Sequence, residues 1–221
     1  MALSPYIVTK GVVLRETETR DADKILTLLT AERGKISVIA RGVCRKGCKF
    51  AACAQPLAYS EWTLYKKGDW YYANEGATLE LFNGLRADLD AMALGFYLAE
   101  LTEAVTSEEA PAEELLRHLL NGLYALSNFR KPLQLLKAAF ELKLACLAGY
   151  EPLADSCAYC GCPEPEQPLL DVVQGVLRCG SCGRQESGLS MPLCRDSLAA
   201  LRHIVYGNPK RLYSFTLGEA A

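Results

Sequence analysis

The chain has 221 residues, of which half are hydrophobic, and a net charge of −2. This length is enough for one large domain or two to three small ones, and the near-neutral charge argues against a protein dedicated to binding polyanions over its whole surface. The charge is uneven, however: residues 1–80 carry 12 Lys and Arg against 9 Asp and Glu, whereas residues 81–221 carry 12 against 17. We therefore expect any contact with nucleic acid in the N-terminal part.

From Tyr6 to Leu81, short alternating segments rich in β-branched and aromatic residues predict five strands. Arg33-Gly34 is predicted to connect the second and third strands, and Gly68-Asp69 the fourth and fifth. Five such strands fit a small closed barrel of the OB type, and an open sheet is the alternative that the pattern leaves open. The predicted bounds are Tyr6 to Glu16, Lys24 to Thr30, Lys35 to Arg41, Leu57 to Lys66, and Asp69 to Leu79.

Between the third and fourth predicted strands lies a loop with four cations and no acid, Arg41 to Phe50. Its glycines let the backbone approach a ligand closely, and its cations can displace counterions from a polyanion. A solvated basic loop with no ligand is the alternative. If the loop binds DNA phosphates, we predict that the contacts come from five cations, and that Lys66 and Lys67 extend the patch. The five are Lys35, Arg41, Arg45, Lys46 and Lys49.

Two other features accompany this loop. The first is a set of aromatic residues dense enough to suggest base stacking, about half of which should lie in the core because strand side chains alternate. The second is Cys44 and Cys48, with Cys53 close behind, which could bind a metal but are more often plain small residues. The aromatic residues are Trp62, Tyr65, Trp70, Tyr71 and Tyr72.

At Phe82 the hydrophobic period changes from two to about three and a half, which predicts a domain boundary and helices beyond it. Helices are predicted to begin at Pro111 and Pro132, the latter ending at Gly149, and Asp196 or Ser197 is predicted to cap the last one. Before them, one long helix is predicted to face inward through Leu85, Leu89, Met92, Phe96 and Leu101. The helix that begins at Pro111 is predicted to face inward through Leu115, Leu116, Leu119, Leu120 and Leu123. The last helix is predicted to face inward through Leu198, Leu201, Ile204 and Val205.

Two CxxCG knuckles, Cys157 to Gly161 and Cys179 to Gly183, are separated by the 18 residues between Cys160 and Cys179. This is zinc-ribbon spacing: a two-residue gap lets both thiolates of a knuckle reach one metal, and the glycine permits the tight turn behind them. We predict one structural zinc per chain, held by Cys157, Cys160, Cys179 and Cys182, with Cys162 as a spare. Four sulfur ligands leave no open position for catalysis. Two disulfides or four unrelated thiols are the alternatives.

The sequence contains no Walker loop, dinucleotide-binding glycine fingerprint or nucleophile elbow, and it has only two histidines to act as a general base. We therefore expect a protein that is not an enzyme. Residues 1–10 lack the features of a secretory signal, and the longest stretch without a charged residue is too short for a span of about 18 residues. Pairing the ten cysteines as disulfides would require an oxidising compartment, so without such a signal we expect a cytoplasmic protein that does not cross a membrane.

Strands, basic loop, helices and knuckles in this order resemble the bacterial recombination mediator family RecO, from Tyr6 to Leu217. The most specific pieces are Gly34-Lys-Ile-Ser-Val-Ile-Ala-Arg-Gly42, Gln55-Pro56, Phe140-Glu-Leu-Lys-Leu144 with Gly149-Tyr-Glu-Pro152, and the knuckles. The expected fold is α+β and multidomain: an N-terminal five-stranded OB-type β-barrel (1–81), an α-helical domain (82–150 plus 190–221) and an inserted zinc ribbon with four cysteine ligands (151–189).

The resemblance also implies binding of single- and double-stranded DNA and annealing of complementary strands. It implies cooperation with RecR and the single-strand-binding protein in loading RecA, at the bacterial nucleoid. The two cysteines of the basic loop depart from the family pattern, in which small or polar residues are expected. Two other functions remain open: an adaptor that mainly docks proteins and has weak DNA affinity, and an RNA-binding protein with an OB barrel and a zinc ribbon.

Overall fold

A computed structural model describes residues 6–19, 22–182 and 189–218. The chain divides into two compact units, Met1–Lys137 and Ala138–Ala221. Among the described residues, no helix is both long and apolar enough to cross a membrane. The three-domain division given above remains a prediction.

Five strands of the first unit form a closed barrel. The strand order is β1-β2-β3-β5-β4, and β4 pairs back onto β1. All neighbours are antiparallel except β3 and β5, which are parallel. The predicted OB-type barrel is confirmed, with strand ends moved by no more than two residues. The strands are β1 (Tyr6–Glu18), β2 (Lys24–Thr30), β3 (Gly34–Ala40), β4 (Tyr59–Lys67) and β5 (Trp70–Glu80).

The barrel interior is filled by alternate side chains of its strands, as a period of two requires. The fully buried members include Leu26, Leu28, Val38, Trp62 and Leu64. Gly68-Asp69 forms the two-residue turn predicted for β4 and β5, because Lys67 pairs directly with Trp70.

The predicted turn at Arg33-Gly34 is wrong. Thr30 pairs with Gly34, so the β2–β3 turn consists of residues 31–33 and Gly34 already belongs to β3. The hydroxyl of Thr30 accepts a hydrogen bond from the amide of Arg33 and donates one to the carbonyl of Gly34, which closes the longer turn.

Gly34 lies at the start of β3, where the barrel contacts the segment of residues 107–110, and glycine is needed there. Its φ is +55°, and a Cβ there would lie 2.7 Å from the carbonyl oxygen of Ser107 and overlap that of Ala110. Both neighbours are backbone atoms of a segment bonded to β3, with Lys35 N donating to Ser107 O (3.3 Å) and Glu109 N to Lys35 O (3.4 Å). Glycine is therefore the residue that both the backbone angle and the space allow.

We expect Gly34→Ala to lower the free energy of unfolding by about 3 kcal/mol, since left-handed strain and overpacking each cost about 1–3 kcal/mol. Chemical denaturation monitored by circular dichroism measures this. Gly47→Ala is the control, because Gly47 also has positive φ (+85°) but has nothing within 4 Å of a built Cβ. Equal losses in the two variants would show that strain alone, and not the contact with the Ser107–Ala110 segment, sets the cost.

Three helices follow the barrel in this unit: α1 (Asn83–Arg86), α2 (Leu89–Val105) and α3 (Glu113–Asn128). The prediction of one helix running from Leu85 to Leu101 is wrong, because the chain leaves the helix at Ala87. Asp88 then caps α2 by accepting hydrogen bonds from the amides of Asp90 and Ala91. An aspartate before an apolar run is a start signal that the hydrophobic pattern alone does not show.

The predicted inward face of α2 is also wrong. Leu89 is 84% exposed and Phe96 is 41% exposed. The buried face is made largely of small residues, which lets neighbours pack against the helix backbone: a Cβ on Gly95 would lie 2.9 Å from Leu85 Cδ1. The buried residues are Ala91, Gly95, Leu98, Ala99 and Thr102. On α3 the prediction is closer, since Leu116, Leu119 and Leu123 are buried whereas Leu115 and Leu120 are half-buried.

Helix α4 (Leu133–Leu147) begins at the end of the first unit and continues into the second. It ends as predicted before Gly149, whose φ is +93°. The second unit also contains a small sheet of order β7-β6-β8 and one further helix. These elements are β6 (Leu169–Asp171), β7 (Val176–Arg178), β8 (Ser190–Pro192) and α5 (Arg195–Tyr206).

Helix α5 packs against the sheet and the end of α4. Its Leu198, Leu201 and Val205 share a core with Leu177 of β7 and with Cys146 of α4. The predicted inward face of α5 is confirmed. The predicted cap is wrong, because the side chain of Cys194 accepts the hydrogen bond from the amide of Ser197 (3.3 Å). Sulfur is not among the side-chain acceptors that sequence rules for helix caps consider.

Candidate metal centre and nucleic-acid interface

Four cysteines of the second unit form a cluster that can hold a metal ion. The Sγ atoms of Cys157, Cys160, Cys179 and Cys182 all lie within 4.8 Å of one another. The Sγ atoms of Cys160 and Cys179 lie 3.7 Å apart. These are the four cysteines predicted from the spacing of the knuckles.

Two tight turns bring the four thiols together. In the first knuckle, the amide of Gly161 donates to the carbonyl of Cys157 (2.8 Å), and Gly161 takes a left-handed φ of +73°. In the second, the amide of Cys182 donates to the carbonyl of Cys179 (3.2 Å), immediately after β7. Gly183, the predicted glycine of the second knuckle, lies outside the described residues.

The two knuckles also share hydrogen bonds to sulfur. The amide of Cys179 donates to Cys157 Sγ at 3.3 Å. Burial disfavours the Cys157 thiolate, but backbone amides of Cys160, Cys179 and Tyr159 more than offset that cost and lower its pKa to about 6. Burial raises the pKa of Cys179, and a hydrogen bond with Cys160 raises that of Cys182. The surroundings thus favour the thiolate of Cys157 and disfavour those of Cys179 and Cys182, and a cation bound between the sulfurs would favour the thiolate form of all of them.

Cys162 is not one of the clustered thiols. Its thiol donates to the carbonyl of Glu164 (3.4 Å), while its own carbonyl accepts from the amide of Cys157 (2.8 Å). Cys162 therefore supports the first knuckle through its backbone. The four clustered cysteines are free thiols in the structure, and four sulfur donors at these distances fit a soft, tetrahedrally coordinated ion.

Arg202 of α5 ties the loop of the first knuckle to the helix. Its guanidinium donates to the carbonyls of Ala154 (2.8 Å), Asp155 (3.1 Å) and Pro163, and it forms an ion pair with Glu164 (2.8 Å). These residues flank the knuckle on both sides. The cysteine cluster is thus positioned by a helix as well as by its own turns.

In the first unit, the basic loop is fixed to the barrel by its apolar residues. Val43 is buried in the same core cluster as Trp62, and Cys48 and Phe50 pack against that cluster. Cys53 and Ala54, which follow the loop, are buried in it as well. A Cβ on Gly76 of β5 would lie 3.1 Å from Cys53 Sγ, so a glycine is needed where the loop crosses that strand. The loop therefore has a defined course between β3 and β4, although it contains no strand or helix.

The four cations of this loop are exposed. Arg41, Arg45, Lys46 and Lys49 alternate with the residues that anchor it. Within the described part of the chain, no carboxylate forms an ion pair with Arg45, Lys46 or Lys49. The positive charges of Arg45, Lys46 and Lys49 therefore face solvent without a described carboxylate to neutralise them.

Lys35 does not lie with these cations. Lys35 lies at the start of β3 and Arg41 directly follows its end, so the two residues are about 20 Å apart along the strand. Its Nζ approaches the carbonyl oxygen of Glu103 (3.4 Å), and it lines a cleft of about 410 Å³ together with Glu108 and Glu109. The structure thus brings together four of the five predicted contact residues and places the fifth among carboxylates.

Lys66, predicted to extend the patch, is held by a partner that sequence reasoning missed. Its Nζ forms an ion pair with Glu109 (3.0 Å) and lies 5.0 Å from the centre of the Tyr71 ring. The hydrogen bond with Glu109 raises the pKa of Lys66, and the same bond lowers the pKa of Glu109. No local signal links these residues, because Glu109 comes from the segment between α2 and α3.

Three tyrosines on the outside of the barrel form a continuous group, which we call the tyrosine ladder: Tyr6, Tyr65 and Tyr72. Tyr65 and Tyr72 stack with ring centres 5.1 Å apart and planes 13° apart, and Tyr6 meets Tyr65 edge-on at 6.3 Å. The guanidinium of Arg41 lies 4.9 Å from the centre of the Tyr72 ring. Tyr65 and Tyr72 were singled out in the sequence, whereas Tyr6 was missed.

The other predicted aromatic residues divide as expected from alternation: Trp62 and Tyr71 are buried, and Trp70 is exposed. The cysteines of the loop also differ among themselves. Cys53 is buried, Cys48 is half-buried and Cys44 is exposed. They are not part of a metal-binding group among the described residues.

Closed five-stranded barrels of OB order occur in a class of proteins that bind oligonucleotides or oligosaccharides, and an exposed cationic loop such as this one is typical of the members that bind nucleic acid. Two family models match this chain: "Recombination protein O N terminal" over residues 1–82 and "Recombination protein O C terminal" over residues 86–221. The chain belongs to the RecO family of recombination and DNA repair proteins.

Curated relatives support this assignment. The DNA repair protein RecO of Acetivibrio thermocellus is 32% identical over 216 residues, which is 97% of this chain and 85% of the relative. The RecO proteins of Caldicellulosiruptor bescii and Symbiobacterium thermophilum are 30% and 32% identical, and each match covers 96% of this chain and 85% of the relative. The similarity therefore spans the barrel, the helices and the cysteine cluster together.

Proposed function

We propose that this protein is a non-catalytic DNA-binding recombination mediator. In this role it binds single- and double-stranded DNA, anneals complementary strands and, with RecR, helps to load RecA onto DNA covered by the single-strand-binding protein. The observation that carries the proposal is the exposed cationic loop, held on a closed barrel in a chain of the RecO family. The three protein partners are proposed on the basis of the family alone.

The loop suits contacts with phosphate. Arg41, Arg45, Lys46 and Lys49 are exposed, and the buried Val43 and Cys53 hold the segment between them against the barrel. Cations held in place lose less conformational freedom on binding than cations on a mobile chain. Phosphate contacts carry no sequence information. We therefore propose that this surface binds DNA of any sequence, and that Lys35 contributes little because of its acidic surroundings.

We further propose that the metal ion of the cysteine cluster is zinc, one per chain. Zinc is a frequent ion in sites of four cysteine sulfurs, where it stabilises the local fold. Here the ligands would be Cys157, Cys160, Cys179 and Cys182, joined to α5 through Arg202. In this position zinc would fix the ribbon segment and take no part in a reaction on DNA.

Replacing Arg45 and Lys46 together by alanine is expected to weaken binding of single-stranded DNA by the same factor for every sequence. Each lost phosphate contact should flatten the log–log salt dependence of the binding constant by about 0.7 for a single strand. Fluorescence anisotropy with oligonucleotides of several sequences, measured across a salt series, determines both quantities.

Arg130→Ala with Lys131→Ala is the matched control, since it removes an adjacent Arg-Lys pair between α3 and α4. Its affinity and salt dependence should stay near those of the unmodified protein. If the Arg45/Lys46 variant also keeps the affinity and salt dependence of the unmodified protein, the DNA site lies elsewhere on the molecule. Equal or tighter binding of RNA of matched length would instead favour the RNA-binding alternative, and negligible binding without a protein partner would favour the adaptor.

A further inference from the structure

The tyrosine ladder lies on the solvent side of the barrel wall. Leu64, which precedes Tyr65, is buried in the barrel core, and so is Tyr71, which precedes Tyr72. Because successive side chains of a strand point to opposite faces, Tyr65 and Tyr72 point outward. Tyr6 is 47% exposed at the start of β1. These rings therefore contribute little to the barrel core.

The strand order brings the three rings side by side. Tyr6 pairs with Tyr65 across β1 and β4, and Tyr65 pairs with Tyr72 across β4 and β5. The rings thus occupy three neighbouring strands in one row across the sheet. Trp70, two residues before Tyr72 on β5, is 43% exposed and belongs to the same outer face. Four aromatic side chains thus share one outer face of the barrel, where Tyr6 and Trp70 are exposed and Tyr65 and Tyr72 are half-buried.

Arg41 connects this row to the cationic loop. Its guanidinium lies over the Tyr72 ring, and it is also the first cation of the loop between β3 and β4. Arginine stacked on a ring retains its N–H groups for contacts at the edge, which suits a phosphate oxygen. A ligand that contacts the rings and the loop at once would need both flat apolar faces and negative charge, as an unpaired nucleic-acid strand does.

We propose that the tyrosine ladder stacks on unpaired bases and makes the protein prefer single-stranded over double-stranded DNA. This inference rests on the proposed function, in which the cationic loop supplies phosphate contacts to both forms. In a duplex the bases are already stacked on each other and only their edges are accessible, so the rings gain nothing from it. In a single strand each base has a free face that an aromatic side chain can cover, whatever the sequence.

The test combines a change in the protein with a change in the DNA. Tyr6→Val with Tyr72→Val removes two rings and keeps residues suited to strands. The DNA probes are a single strand, a duplex, and a single strand of the same length in which abasic sites replace several bases and keep every phosphate. Affinities are measured for the full-length protein at several salt concentrations, and circular dichroism checks that the variant is folded.

The unmodified protein should bind the normal strand at least tenfold more tightly than the abasic strand, since one stacked base contributes about that factor. The double variant should lose this preference, bind the abasic strand and the duplex as before, and keep the same salt dependence. Tyr72→Phe should retain the preference because it keeps the ring. Tyr124→Leu, which removes an exposed tyrosine from α3 that contacts Phe129, should have no effect.

Two results would overturn the inference while leaving the proposed function in place. One is equal binding of the normal and abasic strands by the unmodified protein. The other is a folded double variant that still prefers the normal strand, or that loses duplex binding to the same extent. If the unmodified protein binds none of the three probes, the proposed function itself fails.

Discussion

Replacing Cys179 by serine is expected to release the metal ion and unfold the ribbon segment. Cys179 is buried in the cluster, and its amide also donates to Cys157 Sγ. Because metal binding and local folding are one equilibrium in such sites, loss of a ligand removes stabilisation that amounts to about 10–16 kcal/mol in zinc-finger peptides. Elemental analysis of the purified protein should fall from one zinc per chain to almost none, and protease should cleave within residues 151–189.

Cys162→Ser is the matched control, because Cys162 lies beside the first knuckle but outside the cluster. Its zinc content should stay at one per chain. The barrel should keep its own unfolding transition in both variants, since it has a separate core. Full zinc content after changing both Cys179 and Cys182 would show that the metal site is wrong.

Annealing of complementary strands is expected to disappear in the Arg45→Ala, Lys46→Ala variant and to need no ATP in the unmodified protein. We expect a passive reaction, in which an exposed cationic surface lowers the repulsion between two phosphate backbones. The rate should therefore fall steeply with added salt. Strand annealing followed by fluorescence energy transfer, with and without ATP, measures these effects.

The Arg130→Ala, Lys131→Ala variant should anneal normally. Chelation of free magnesium should also leave the reaction intact, provided that the cysteine cluster keeps its metal ion. If strands covered by the single-strand-binding protein anneal only when ATP is present, or if the Arg45/Lys46 variant anneals normally, the cationic loop is not the mediator surface. The adaptor function would then account better for the protein.

The sequence predicted the parts of this structure that depend on local pattern. Alternation defined the five strands to within two residues, and the CxxCG spacing identified the four cysteines that cluster. Both succeed because the relevant period or spacing lies within a short stretch of chain. The start of α2 was predicted wrongly because the Asp88 cap, and not the hydrophobic pattern, marks it. Its buried face was predicted wrongly because Ala91, Gly95 and Ala99 are buried for their small size and not for hydrophobicity.

The candidate nucleic-acid interface was predicted less completely, because it depends on which strands lie side by side and how they align. Lys35 and Arg41 are close in sequence, yet only Arg41 lies at the end of β3 where the loop begins. In the sequence Tyr6 is only the first residue of a predicted strand, and the register of β1 against β4 is what places it beside Tyr65. The pairing of Lys66 with Glu109 joins residues 43 positions apart, which no local rule connects.

The pairing between β3 and β5, which closes the barrel, is much shorter than the pairing between its other neighbouring strands. Only Val38 with Tyr71 and Ile39 with Tyr72 are paired there, whereas the hairpins are paired along seven or more positions. Local opening in proteins concentrates where few hydrogen bonds must break together. Brief openings of this barrel should therefore begin between β3 and β5 and leave each hairpin intact. An opening there would separate Ile39 from Tyr72 and would therefore change the distance between the Tyr72 ring and Arg41, two residues further along the chain.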